Sequence, residues 1–194
     1  EILGLDEIAL RKGQGNYVTL VTGRFRDGEI AILGVLPGHE KAVVVEYLRL
    51  IPQRILQALQ AVCCDLWEAY MEAVREEIPT ARIVADRFHV ARHYRDAADQ
   101  IRKTELQRLK KELPKEEYQK LNGSFRAFRK NAKDLNKEER KTLRGFFAYS
   151  PCAKQAYDFR EAFTAIYDMN LSKKQAQSKI RGWIQKVQNS DLNC

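Results

Sequence analysis

The chain holds 194 residues, 44% of them hydrophobic and 31% charged, with a net charge of +8; this balance excludes a disordered polypeptide, and the length supports one sizeable core or two small ones. No apolar run reaches the roughly 20 residues needed to span a bilayer, and no basic segment leads into an apolar stretch and a cleavage site at the start. The charge is uneven: residues 1–100 carry 12 Lys/Arg against 15 Asp/Glu, and residues 101–194 carry 22 against 11, so a basic half suited to phosphate stands beside a slightly acidic one.

In chain order, Ile2–Leu10 and Tyr17–Thr22 are expected to form two strands, joined by the turn-like Lys12-Gly13-Gln14-Gly15-Asn16. Arg26-Asp27-Gly28 marks a tight turn into a third strand over Glu29–Leu36. Three short strands so connected form an antiparallel meander. After Pro37-Gly38, helical periodicity appears at Ala42, Val45, Leu48 and Ile51. A strand over 61–65 follows, then a helix over Leu66–Glu77 with Trp67, Tyr70, Met71 and Val74 on one side, stopped by Pro79. Ala81–Ala85 is the fifth strand, and a long helix begins near Arg87. This order is that of the RNase H-like fold, three antiparallel strands followed by two parallel ones.

Beyond about residue 90 every segment is expected to be helical. Apolar stripes run through Tyr94, Ala97, Ala98 and Ile101, through Leu121, Phe125, Phe128, Ala132 and Leu135, and through Ala176, Ile180, Trp183 and Val187. Asn136 with Glu139, Ser150-Pro151, and Ser172 with Gln175 mark helix starts. The expected organisation is an α/β core over 1–100 and an all-helical domain over 101–194. Cys63, Cys64, Cys152 and Cys194 show no zinc or thioredoxin-type spacing, which suits a reducing, intracellular setting. No Met opens the sequence and Glu1 leads directly into a strand, so a piece of a longer protein is expected.

Two aspartates close apolar strand-like runs: Asp6 after Leu3-Gly4-Leu5, and Asp65 after Ala61-Val62-Cys63-Cys64. In the RNase H-like order the first and fourth strands are neighbours, so these carboxylates converge. A carboxylate at a buried strand end is costly alone and is normally paired or holds a cation. Two converging carboxylates can hold Mg²⁺ or Mn²⁺ for in-line phosphoryl transfer; a capped strand end or an ion pair is the plainer alternative for each. Asp86 and His89 follow the fifth strand three residues apart. They are candidates for a direct metal role or, as the favoured assignment, for a helix cap and a hydrogen-bonding support behind the ligands. Glu7 alternates to the other sheet face from Asp6, so it is not a third ligand. No P-loop, dinucleotide-binding glycine pattern or nucleophile elbow occurs. Arg126, Arg129 and Lys130, with Lys137, Arg140, Lys141 and Arg144, are candidate phosphate contacts or simply solvated helix faces.

Leu3-Gly4-Leu5-Asp6-Glu7, Val62-Cys63-Cys64-Asp65-Leu66-Trp67-Glu68-Ala69-Tyr70 and Pro79-Thr80-Ala81-Arg82-Ile83-Val84-Ala85-Asp86-Arg87-Phe88-His89-Val90 resemble the DDE transposases of the ISL-three family of bacterial insertion sequences. Ser150-Pro151 through Arg160-Glu161-Ala162-Phe163 and the helix around Trp183 resemble that family's helical region. The resemblance implies an RNase H-like core with metal-binding acids Asp, Asp and Glu. Asp6 matches the first and Asp65 the second, with Asp86 and His89 in a motif beside the site. The helical region then corresponds to an insertion, and the third acid is expected beyond Cys194, so this piece is not expected to cut DNA alone. Implied too are cleavage at the element end with strand transfer, DNA as partner, assembly of several copies in the full-length protein, and a bacterial cytoplasmic location with the nucleoid. Rival readings are an inert DNA-binding remnant of a transposase, an RNase H-like nuclease without strand transfer, and a helical interaction module.

Overall fold

The computed structural model describes residues 1–10 and 16–192. The expected turn at 12–15 and Cys194 lie outside the described residues. Two compact units divide the chain, Glu1–Val90 and Ala91–Cys194.

The first unit is built on a five-stranded sheet of order β3-β2-β1-β4-β5. Its strands are β1 (Ile2–Ala9), β2 (Tyr17–Arg24), β3 (Ile30–Pro37), β4 (Ala61–Cys64) and β5 (Arg82–Ala85). β1, β2 and β3 pair antiparallel, while β4 runs parallel to β1 and β5 parallel to β4. This is the mixed sheet of the RNase H-like fold. Phe25 and Glu29 close the β2–β3 hairpin through a 2.9 Å backbone bond, with Gly28 at φ 91° inside the turn. That left-handed conformation suits glycine because no Cβ crowds the backbone.

Period-two alternation sets the faces. Leu3, Leu5, Val21, Val62 and Cys64 point into the core, where they meet Val44, Val45 and Leu48 of α1 (Lys41–Leu50) and Tyr70, Ala73 and Val74 of α3 (Glu68–Glu77). The α2 helix (Gln53–Ala58) adds Leu56 to the same core. The other face of the sheet carries Gly4, Asp6, Thr22, Cys63 and Val84, and toward its β3 edge Ile32 stays 67% exposed.

The second unit is helical. The helix α4 (Arg87–Glu112) leads into α5 (Lys115–Gln119), α6 (Ser124–Arg129), a 3₁₀ turn at Ala132–Asp134, α7 (Lys137–Tyr149), α8 (Pro151–Asp168) and α9 (Lys173–Gln188). All three expected caps form: Asn136 and Ser172 in capping boxes, and Ser150 accepting from the Ala153 amide with Pro151 in the first turn. The core gathers Ala98, Leu109, Leu121, Phe128, Leu143, Phe146 and Tyr157. The buried Asp99 takes 2.7 Å and 2.8 Å contacts from Arg102 and Arg129, whose guanidinium groups also lie over the Phe125 ring.

Two sequence expectations are corrected. Leu121 to Leu135 do not form one stripe, because Gly123 at φ 88° starts α6 and the extended Lys130 ends it; Phe125 faces outward beneath the two arginines. Trp67 is not on the buried side of α3. It stands at the extended N-cap position and is 46% exposed.

Candidate active site

The parallel register Leu5↔Cys64 ends just before Asp6 and Asp65, so the two aspartates occupy the next matched positions on adjoining strands and share a face. The register Cys64↔Ala85 brings Asp86 to the corresponding position one strand further, and the Asp86 amide donates to the Cys64 carbonyl at 2.8 Å. Three acids thus stand in a row across β1, β4 and β5.

His89 lies between the first two. Its Nδ1 is 3.0 Å from Asp65 Oδ1 and its Nε2 3.4 Å from Asp6 Oδ1. Local geometry holds the carboxylates in turn: the Glu7 amide donates to Asp6 Oδ1 at 2.8 Å, and the Leu66 amide donates to Asp65 Oδ1 at 2.5 Å. Asp6 is half open to solvent, while Asp65 and His89 are largely covered. Asp86 accepts from the Phe88 amide at 2.7 Å and so caps the start of α4, aiming His89 into the gap. Phe88 packs edge-on against the His89 ring with centroids 5.4 Å apart.

The negative charge of the row registers on its neighbours. Burial, followed by the charges of Asp86 and Asp6, pushes the Cys63 thiol up. Burial also pushes the Tyr70 hydroxyl up to about 12, against the Thr19 hydrogen bond, with Glu7, Asp6 and Asp65 adding to the rise. No group of three His, Cys, Asp or Glu side chains arranged to hold a metal ion occurs among the described residues.

A second constellation borders the acids, and no sequence signal announced it. Glu7 points to the opposite face from Asp6 and pairs with His39 Nδ1. The His39 ring is stacked between Tyr17, at a centroid distance of 4.7 Å, and Trp67, at 5.3 Å. Trp67 Nε1 donates to the His39 carbonyl at 3.2 Å. Helical periodicity draws Trp67 into a buried stripe, and nothing in the string Pro37-Gly38-His39 marks an aromatic partner 28 positions away.

The seven candidate phosphate contacts separate into two groups. Arg129 binds Asp99, Lys130 binds Glu139 at 2.5 Å, and Arg140 donates to the Leu135 carbonyl at 3.1 Å. Arg126, Lys137, Lys141 and Arg144 are exposed without an ion-pair partner among the described residues. The last three fall at i, i+4 and i+7, one solvent-facing stripe of α7 opposite Leu143 and Phe146.

No helix among the described residues is long and apolar enough to cross a membrane. No individual curated protein matches the chain. A family model described as transposase, that of the ISL-three DDE type, matches residues 3–194, essentially the whole sequence. With its mixed five-stranded sheet and helical region, the chain belongs to the DDE transposases of the ISL-three family, proteins of DNA transposition and recombination.

Proposed function

We propose that this chain carries the catalytic centre for cutting and joining DNA strands, with Asp6 and Asp65 as ligands of Mg²⁺ or Mn²⁺. The observation that supports this most is the matched β1–β4 register, which gathers two carboxylates on one face although 58 residues separate them. Hard carboxylate oxygens, one of them half open to solvent, suit a cation that keeps positions for water and phosphate. When bound, such a cation polarises the scissile phosphodiester and lowers the pKa of the attacking hydroxyl.

The chain's own residues do the positioning. Asp6 and Asp65 bind from adjoining strands, their orientation set by the Glu7 and Leu66 amides. His89, held by the Asp86-capped start of α4, lies 3.0 Å from Asp65 and 3.4 Å from Asp6 and so packs between the two carboxylates, restricting where they can turn. The favoured division of labour assigns residues 1–100 to the chemistry. Residues 101–194 position DNA through Arg126, Lys137, Lys141 and Arg144. The third acid of the family is supplied from outside the described residues, and several copies assemble on DNA.

The test has two readouts. Mn²⁺ binding, followed by electron paramagnetic resonance, is expected to weaken at least tenfold in Asp6→Asn and in Asp65→Asn. In the complete transposase, Asp6→Asn is expected to abolish strand cleavage and joining while DNA affinity survives. Cleavage at the parent rate overturns the assignment. Cleavage without any joined product replaces strand transfer with simple nuclease action.

A further inference from the structure

We propose that Trp67 is a stacking platform for the base of an unpaired nucleotide adjoining the phosphate held at Asp6 and Asp65; this rests on the catalytic reading above. Trp67 follows Asp65 by two residues, so its backbone lies within about 7 Å of the acid's, a reach comparable to two steps of about 3.4 Å along one DNA strand. The side chain is 46% exposed, where an aromatic of its size ordinarily buries most of its surface.

Its orientation is nevertheless fixed. One side of the indole rests on His39, with an interplanar angle of 22°, and His39 rests on Tyr17 at 10°. The indole N–H is committed to the His39 carbonyl, and the Glu7 carboxylate anchors the middle ring. Glu7 follows Asp6 on β1 but turns to the opposite face, and Trp67 lies two residues past Asp65 beyond β4, so the same two strands that present the acids brace the stack, β1 doing so from the face opposite Asp6. Rings locked in this way lose little freedom when a fourth ring is added.

The surroundings select what the fourth ring is. Glu7 is paired with His39 and Glu68 with Arg75, so neither pair offers a free cation to a phosphate, whereas the exposed indole suits the uncharged π-face of a base. Stacking also tolerates any base, since each has a π-face. A base inside a duplex has both faces covered by its neighbours, and the end pair of a blunt duplex offers one face only while staying paired. A nucleotide at a frayed or opened end can turn its whole base onto the indole, so the occupant is taken as unpaired.

The experiment uses the whole chain carrying Trp183→Phe, which leaves Trp67 as its single tryptophan. Binding is followed by anisotropy of labelled DNA, and stacking by quenching of Trp67 fluorescence. The probes are a blunt duplex, the same duplex with a three-thymidine overhang, and the overhang made abasic. Quenching is expected with the thymidine overhang and not with the abasic one. In the chain retaining Trp183, Trp67→Ala is expected to weaken binding of the overhang duplex by about 5- to 150-fold and that of the blunt duplex less than twofold. Trp67→Phe should recover most of the loss, separating stacking from general unfolding. Overhang binding without quenching, and indifferent to Trp67→Ala, overturns the platform and leaves the DNA reading standing. Failure to bind any of the three duplexes overturns both.

Discussion

Replacing Asp99 with Asn tests whether the helical unit is organised around a buried charge. Burial alone pushes the Asp99 carboxyl up, but hydrogen bonds from Arg102 and Arg129, reinforced by their charges, outweigh it and hold it at about 2, below the ordinary 3.8. The difference, at about 1.4 kcal/mol per unit, is worth about 2 kcal/mol. A carboxyl depressed in the folded state contributes stability above its unfolded value and loses it as pH falls through the folded one. The contribution is therefore complete above about pH 5, near half at about pH 3, and gone below about pH 1. Asn removes the Asp99 counter-charge from the arginines at every pH. In a Trp67→Phe background, Trp183, packed 4.4 Å from Phe163 by centroid, reports the unfolding of this unit in urea. Asp99→Asn is expected to cost about 2 kcal/mol at pH 6 and about half of that at pH 3. A deficit that does not change between those two pH values refutes the electrostatic account and leaves only a packing defect.

Other substitutions probe the rest of the architecture. Tyr70→Phe removes a buried hydroxyl bonded to Thr19 at 2.8 Å, while Thr19 keeps the Gly38 carbonyl as acceptor; a loss of about 1 kcal/mol is expected from Trp67-monitored denaturation, and no loss contradicts the bond. Asn136→Ala breaks the capping box of α7 and should cost about 1 kcal/mol, with Asn136→Gly costing only a few tenths; equal costs speak against a capping role. Lys137→Gln, Lys141→Gln and Arg144→Gln should each flatten the log–log salt dependence of duplex binding by about 0.9. The same change at Lys130, already paired with Glu139, should leave the slope alone, and equal slopes for all four would remove α7 from the DNA surface. Arg160→Met removes a buried cation that donates to the Phe128 and Lys130 carbonyls. A loss of about 3 kcal/mol is expected by calorimetry, and an unchanged melting temperature excludes its bridging role.

The sheet was legible because strand faces write themselves as alternation: Leu3 and Leu5 inward, Asp6 outward, with the turn at Asp27-Gly28 delimiting β2 and β3. Asp6 and Asp65 stood out because each ends an apolar run, and the strand order alone made those runs neighbours. What escaped depended on contacts distant in sequence. The α2 helix is six residues after Pro52, too short for periodicity to show. Trp67 satisfies a helical stripe on paper yet sits one residue before the helix, where its partner is His39. Arg129 and Lys130 look like free cations in a basic string until Asp99 and Glu139 arrive from other helices. Charge counts register such residues, but pairing is a tertiary property.

The acids of the candidate centre come from positions 6 and 65, and the imidazole that bridges them from position 89, at the far end of the first unit. Such high contact order makes assembly of the centre a late event in folding, after the central parallel pairing has closed its long loop. A nascent or partly unfolded chain cannot hold the carboxylates together, so the proposed metal site would form only with the completed sheet. Under the proposed function, the order of folding is then itself a safeguard, since strand cutting would wait until the sheet that gathers the two carboxylates is complete.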